Sequence, residues 1–579
     1  MFARIIKTKG REYLNIIDGY RDKDGKVKQR VVANLGRVEE LKQSSIENLA
    51  KKLLEIVNSK KRVQDSKIPE IEELDRYNYG YVAYKKIWDR FKLDDILSNL
   101  VKDKGIQYDF TNIVFSLVID RLLKPKSKLA FFKNKDDYFN INDELKLHQI
   151  YRALDILADN KEQIEQELFK RNRTLFNITT DIVFYDVTTF YYESKNENDL
   201  KKFGYSKDGK FTDVQIVMGL LIDKNGLPIG YELFSGNTMD SKTMITTLDK
   251  LKVKFNIDTV VIVADRGLNS KLNLKAIKDA GYDYLMASKI KNMSRDIQDK
   301  ILDKKDYITI NDEDSEDGLY SYKVLDYDNE VKYQEEIIDK NGKVTIKNSK
   351  IILSEKLVCT YSQKRAKKDM YDRYRALDKA NKIIQDNQKS QVTNTRSFKK
   401  FITTENSSDD CKNFIMSMDW LKIKKQQKYD GFYAITTSKK DLDPMEVIDN
   451  YHNLYKIEDS FKVLKSTFNT RPIFHYKESR IEAHFILCFI AFMIERDLEI
   501  RLKKSKSFKN ITITPDRIKE ALNALEISKI KVDNKTLYMK SNHSNARNKL
   551  KLGKSIMNFL HIKQLKNISE KNEVLDLFA

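Results

Sequence analysis

Hydrophobic positions change period several times along the 579 residues. Residues 1–40 alternate in steps of two, at Arg4–Lys7, Tyr13–Ile16 and Val27–Val32, with Asp24-Gly25 as a turn signal between the last two runs. This predicts a three-stranded meander. From 41 to 175 the spacing becomes helical, most clearly over Ser45–Ser59, Gly80–Leu100, Phe110–Leu123 and His148–Phe169. From about 180, strands and helices alternate. Ile182–Tyr192 is rich in β-branched and aromatic residues; Asp213–Ile222 and Pro228–Phe234 flank the turn Asp223–Gly226. Asp240–Phe255 and Ser270–Ala280 read as helices, Thr259–Ala264 and Tyr282–Ala287 as strands. Thr259–Ala264 is apolar on both faces, as a central parallel strand is. The order β-β-β-α-β-α-β predicts an α/β core.

Residues 290–430 interrupt that order. Strand-like runs at Tyr307–Ile310, Tyr320–Asp326, Lys332–Ile338 and Lys343–Ile346 accompany a hairpin signal at Asn341-Gly342. A charged helical stretch, Gln363–Lys389, and a polar one, Thr393–Asp410, follow. Core-like patterning returns with the strand Gly431–Thr436 and helices at Pro444–Ser466 and Arg480–Leu502. The segment 290–430 therefore reads as an insertion into one α/β domain formed by 176–289 plus 431–505. The meander (1–40) and a helical region (41–175) precede it. A C-terminal region (506–579) follows, with a helix at Pro515–Leu525 and lysine-rich strands and helices beyond.

Composition narrows the function. Lysine and arginine total 107 against 86 aspartates and glutamates, a net charge of +21 spread along the chain. Such a surface suits a polyanion, nucleic acid above all; the plain alternative is a charged, solvated exterior. Glycine (18) and proline (6) are scarce, which excludes collagen-like and low-complexity classes. Cys359, Cys411 and Cys488 are far apart, and the six histidines form no HExxH pattern. A disulfide framework or structural zinc site is not expected. The first residues lack the apolar core of a signal peptide, and the most apolar run, Phe485–Ile494, is too short to span a bilayer. The expectation is a buried helix in a cytoplasmic, nucleoid-associated protein with no membrane partner.

Three carboxylates stand in costly surroundings. Asp186 sits within Ile182–Tyr191, where alternation puts it on one face with Phe184 and Thr188. Desolvating it is unfavourable unless something cationic binds it, or Thr188 bonds it at a sheet edge. Asp265 ends Thr259–Ala264, and the carboxyl ends of parallel strands are where α/β folds place ligands; a turn or N-cap role is the alternative. Glu458 lies in Pro444–Ser466. On one continuous helix Tyr451, Glu458 and Lys465, seven apart, form one stripe beside the apolar Leu454, Ile457, Phe461 and Leu464. A surface salt bridge is the alternative there. Two aspartates and a glutamate on separate elements suit a divalent cation such as Mg²⁺, which shares phosphate oxygens with a substrate.

These residues resemble a known family. Tyr185-Asp-Val-Thr-Thr-Phe190, Gly204-Tyr-Ser-Lys-Asp208, Phe234-Ser-Gly-Asn-Thr238, Val263-Ala-Asp-Arg-Gly267 and Tyr451–Lys465 together look like a DDE transposase of the insertion sequence four superfamily. The resemblance implies an RNase H-like catalytic core carrying a β-rich insertion. It makes Asp186, Asp265 and Glu458 the catalytic, metal-holding triad, with spacings of 265 − 186 = 79 and 458 − 265 = 193 residues. The family helix motif is Y-x-x-R-x-x-x-E-x-x-x-x-x-x-K; Tyr451, Glu458 and Lys465 match it, and Leu454 replaces the arginine. The implied chemistry is Mg²⁺-dependent (alternatively Mn²⁺-dependent) nicking at terminal inverted repeats, then attack of the freed 3′-hydroxyl on target DNA or the opposite strand. Tyr451 and Lys465 would contact transposon-end phosphates, with Lys462 or Arg471 standing in for the missing arginine. His475, Arg480 and His484 are further DNA-binding candidates, with capping or packing of the next helix as the other reading. The N-terminal elements would bind the repeats, and the protein would act as a homodimer on paired ends. Two alternatives are an RNase H-like nuclease without strand transfer and a non-catalytic DNA-binding protein.

Overall fold

A computed structural model of the chain describes all residues except 1, 9, 22–26, 42–46, 49–50, 52–70, 140–143, 177–180, 208, 256, 258, 312–318, 339–343, 386–399, 407–413, 472, 474, 533–534, 542–545 and 578–579. The turns expected at Asp24-Gly25 and Asn341-Gly342, most of the helix expected at Ser45–Ser59 and most of Thr393–Asp410 lie outside the described residues.

Strands β1 (Phe2–Thr8), β2 (Arg11–Arg21) and β3 (Val27–Arg37) pair antiparallel in a sheet of their own. Next comes a strand, β4 (Ile71–Asn78), inside the stretch expected to be helical. It is an edge strand whose partner lies some 450 residues further on, so local periodicity carries little trace of it. Helices α1 (Val82–Arg90), α2 (Leu93–Asn99), α3 (Phe110–Leu123), α4 (Lys128–Lys133), α5 (Leu147–Asp159) and α6 (Lys161–Phe176) follow. The helix expected over Gly80–Leu100 is broken at Lys92, whose φ of 51° reverses the chain between buried Phe91 and Leu93.

The centre is a nine-stranded mixed sheet in the order β10-β11-β12-β15-β9-β8-β5-β6-β7. Its middle is built from β5 (Ile182–Tyr191), β6 (Gln215–Asp223), β7 (Pro228–Ser235), helix α7 (Asp240–Phe255), β8 (Val261–Ala264), helix α8 (Lys271–Asp279) and β9 (Asp283–Ala287). Strands β5, β6 and β7 run antiparallel; β8 runs parallel to β5, and β9 parallel to β8. After helix α9 (Arg295–Leu302) come β10 (Ile308–Asn311), β11 (Leu319–Ile338) and β12 (Val344–Ser362). Where several short strands are expected, β11 and β12 form one long ladder from Tyr320 opposite Ser362 to Ile338 opposite Val344. Helix α10 (Gln363–Gln385), the hairpin β13 (Ile402–Asn406) and β14 (Phe414–Met418), and helix α11 (Trp420–Gln427) lead to β15 (Phe432–Thr437). Strand β15 pairs with both β12 and β9, so the inserted strands extend the central sheet.

Helices α12 (Pro444–His452) and α13 (Tyr455–Lys462), a π-helical turn over Val463–Thr467 and α14 (Glu478–Lys504) cover one face of the sheet. That face carries Phe184, Phe190, Val261 and Val263; Val183, Tyr185, Ile262 and Ala264 line the other, beneath α7 and α8. The apolar run in α14 is buried on all sides, as a helix lacking a polar face must be. Helix α15 (Pro515–Asn523), strands β16 (Glu526–Val532) and β17 (Lys535–Lys540), helix α16 (Arg547–Phe559), β18 (Ile568–Ser569) and helix α17 (Lys571–Leu575) complete the chain. Strand β16 pairs with β4, and Ile518, Leu522 and Ile556 share one core with Trp88 and Val118, so no core boundary falls at 505/506. Among the described residues, no helix is long and apolar enough to cross a membrane.

Candidate active site

Strand register brings the two aspartates together. Tyr185 lies opposite Ala264 at the end of the parallel pairing of β5 and β8, so the next residues, Asp186 and Asp265, leave the ladder as neighbours, close enough for the Asp265 charge to act on Asp186. Alternation from Phe184 and Val263 turns both toward the face covered by α12, α13 and α14.

Asp186 is half-buried, and the Val187 N–H donates to its Oδ1 at 2.7 Å. Burial pushes its carboxyl up to about 6. Asp265 and Asp240 add to the rise; the Lys207 ammonium and the Val187 N–H oppose it. Lys207 is the cation that a buried carboxylate calls for, and composition alone did not single it out. Its ammonium donates to the Val187 carbonyl at 2.5 Å and pairs with Asp240 at 3.0 Å. The loop carrying Lys207 is fixed by two glycines. A Cβ on Gly204 would stand 2.1 Å from the Gly236 carbonyl oxygen, and the Gln215 amide donates to the carbonyls of Tyr205 and Gly236 at 3.0 and 2.9 Å. The motif segments beginning at Gly204 and Phe234 are thus one locked corner beside Asp186.

Asp265 is exposed, and its Oδ1 accepts from the Gly267 N–H at 2.9 Å. Tyr451 of α12 and Tyr433 of β15 share a hydroxyl–hydroxyl bond of 2.6 Å. Burial raises the pKa of both phenols, and the Asp265 charge adds to each shift. Arg365, at the start of α10, lies 4.4 Å over the Tyr433 ring. Tyr433 and Arg365, distant from the motif in sequence, therefore belong to the surroundings of Asp265.

Glu458 stands apart. It is exposed, and makes no hydrogen bond or ion pair among the described residues. The continuous helix expected over Pro444–Ser466 is interrupted twice. Tighter i→i+3 bonds (Leu454 N–H to Tyr451 O at 3.1 Å, Lys456 to Asn453 at 3.0 Å, Ile457 to Leu454 at 3.1 Å) overwind the chain between α12 and α13. The bond from Phe468 N–H to Val463 O, 3.1 Å, then underwinds it. Tyr451, Glu458 and Lys465 therefore do not form one straight stripe. Leu454, in the arginine position of the motif, is a buried apolar anchor. Among the described residues, no group of three His, Cys, Asp or Glu is close enough to share a metal ion.

The remaining candidates separate by surroundings. Lys462 is exposed on α13, Lys465 lies 5.6 Å over the Phe190 ring and Arg471 5.5 Å over the Tyr191 ring, both at the far end of β5. Arg480 forks onto Asp155 of α5 at 3.1 and 3.2 Å and covers Tyr151 at 4.7 Å, an internal contact between α14 and α5. His484 is 4% exposed, packed 5.5 Å from His475 with its Nε2 3.3 Å from the Thr470 carbonyl. Burial holds His475 down to about 3 and His484 well below the usual range, so neither ring offers a cation to DNA at neutral pH. In this arrangement Arg480 is engaged with Asp155 and His484 is enclosed.

Hard, closely set oxygens suit a divalent cation. Asp186 and Asp265 meet that description, since a cation would offset the burial, and the neighbouring acidic charge, that raise Asp186.

Comparison with known proteins adds a family. Residues 178–494 match the transposase DDE domain, and residues 3–65 the N-terminal domain of IS1634 family transposases. No curated protein matches. Two solved structures overlap loosely with the chain. One is a piggyBac transposase synaptic complex with hairpin DNA, at 6% identity, covering 78% of this chain and 82% of that one, with a TM-score of 0.33. The other is a Mos1 transposase paired-end complex with the left transposon end, at 11% identity, 42% and 68% coverage, and a TM-score of 0.14. At those scores neither superposition bears on the fold.

Proposed function

This chain belongs to the transposase DDE-domain family, which spans more than half its length, and from that membership we propose how its own residues work. It is a DDE transposase of an insertion sequence, an enzyme that cuts and joins DNA with divalent metal ions. Asp186, Asp265 and Glu458 act as its metal-holding triad, and Mg²⁺ is the physiological ion. When bound, the ion supplies Lewis-acid activation of a water or 3′-hydroxyl and neutralises charge at the scissile phosphate.

The observation that carries this reading is the register of β5 and β8, which sets Asp186 beside Asp265 on one face. The β7-β6-β5-β8-β9 order, three antiparallel strands followed by two parallel to the first, supports an RNase H-like core. Lys207 balances Asp186 and orients it through the β5 backbone. Tyr451, with Tyr433 behind it, borders Asp265 and contacts a DNA phosphate. Glu458, with no competing partner, swings in when a cation draws it. Lys462, Lys465 and Arg471 line the strand path beyond β5. The protein acts in the bacterial cytoplasm as a homodimer on paired ends.

The test supplies linear DNA carrying the element's terminal repeats, a target plasmid and either Mg²⁺ or chelator. Strand-transfer products that need the ion and vanish in Asp186→Ala, Asp265→Ala and Glu458→Ala support the reading. Cleavage without joining would reduce the protein to a nuclease, and full activity in any of the three variants would remove that residue from the triad.

A further inference from the structure

A cavity of about 700 Å³ lies beyond the far end of β5, where the segment after the π turn meets the start of α4 and the face of α14. Its wall carries Arg121, Lys126, Lys128, Arg471, His475 and His484, and among the described residues no aspartate or glutamate lines it. Three of these side chains are deeply buried: Arg121, Lys128 and His484 are each 4% exposed. The Lys128 side chain has no hydrogen bond or ion pair among the described residues. The Nε of Arg121 and the Nδ1 of His484 are likewise buried without a partner. Arg121 is held in place by its other nitrogens, which donate to the carbonyls of Phe468 and Asn469 at 2.9 and 3.3 Å and of Lys126 at 3.2 Å.

A buried ammonium facing a hollow costs free energy unless an anion enters. Lys126 is already paired with Asp137 at 2.6 Å, and Asp120, behind the wall, accepts a bond from the Lys126 N–H at 3.3 Å and leaves its other oxygen unbonded. It does not lie within ion-pair reach of Lys128. Burial has driven the Lys128 ammonium down to about 7, with Arg121 adding to the fall, so an arriving anion would recharge it. The volume exceeds what a bare phosphate needs and falls in the usual range for small-ligand sites.

Position specifies the anion further. Arg471 links the cavity to Tyr191, five residues past Asp186, or roughly 17 Å along β5. A stacked DNA strand rises about 3.4 Å per nucleotide, so a strand with one phosphate at Asp186 would bring another, about five nucleotides away, to this opening. We propose that the cavity seats one nucleotide of the bound DNA strand, its phosphate held by Lys128 and Arg121. This rests on the transposase reading but needs no catalysis.

The full-length protein is titrated with a labelled duplex of the terminal repeat across a salt series. Separately, thymidine 5′-monophosphate and inorganic phosphate are titrated by calorimetry. Wild type should bind the monophosphate more tightly than phosphate. Lys128→Met should abolish that heat, weaken duplex binding about tenfold and flatten the slope of log K against log salt by about 0.9, one phosphate contact; Lys128→Arg should restore the slope. An unchanged slope in Lys128→Met overturns the proposal, and so does a wild-type chain that gives no heat with the monophosphate, a result that does not depend on any variant folding. Monophosphate heat lost in the variant with an unchanged duplex slope would assign the pocket to a free nucleotide, and also overturns it. Asp186→Asn separates the two readings: it should stop cleavage and keep the wild-type slope, so retained cleavage there would sink the catalytic assignment alone.

Discussion

The carboxylates of the candidate site are delivered in two ways. Asp186 and Asp265 are placed by a ladder: once Tyr185 pairs with Ala264, the next pair has little freedom. Glu458 is placed by a helix broken on both sides, and its side chain points outward with nothing to hold it. Adjacent strands therefore preorganise two of the three proposed metal-holding carboxylates, whereas a helix lying across the sheet leaves the third to be recruited. The cost of preorganisation appears on Asp186, whose carboxyl is pushed up by burial and by its neighbours.

The largest effects should fall on the ladder. Asp186→Asn or Asp265→Asn should lower cleavage by at least about 10³-fold, or roughly 4 kcal/mol of transition-state stabilisation, with the thermal midpoint of the Asp186 variant unchanged or higher. A midpoint that drops along with activity would instead make Asp186 a structural residue. Glu458→Gln should lower cleavage by about 10²-fold while changing stability by less than about 0.5 kcal/mol, as befits an exposed position. Cleavage left intact would erase the comparison, because the ladder would then suffice alone.

Gly204→Ala tests the corner that positions Lys207. The new methyl meets the Gly236 carbonyl, so denaturant unfolding should show a loss of about 2–3 kcal/mol. No loss would mean that the corner yields. The smallest effect is a pH dependence. Because Asp186 is raised from 3.8 to about 6 on folding, its contribution to stability is fully present below pH 4 and is lost as pH rises through about 6. Without metal the unfolding free energy should decline across that window by an amount of order 1 kcal/mol, and the thermal midpoint with it. Added Mg²⁺ should remove the decline, and Asp186→Asn should show neither behaviour. Matching profiles for wild type and variant would count against a cation between the two strands.

Much of the central region was legible because its strands are written in local chemistry. The apolar Thr259–Ala264 run and the aromatic, β-branched Ile182–Tyr191 run require burial on both faces, which leaves Asp186 and Asp265 conspicuous. Strand β4 was not legible, because its pairing with β16 is decided by a partner at the other end of the chain. Nor was the break between α12 and α13: seven-residue spacing assumes uniform winding, and whether Asn453 and Leu454 tighten that winding depends on the sheet that Leu454 packs against. Arg480, expected among the DNA contacts, is forked onto Asp155 at 3.1 Å, a pairing between segments 325 residues apart that no local pattern shows.

By itself, then, the amino-acid sequence determined the α/β order, the excess of positive charge and which acids were out of place, since these follow from residue type and spacing. The tertiary structure alone decided which acids became neighbours, which cations balanced them and where Lys128 was buried against a hollow. Those outcomes depend on register and on contacts between segments hundreds of residues apart, and no local pattern encodes them.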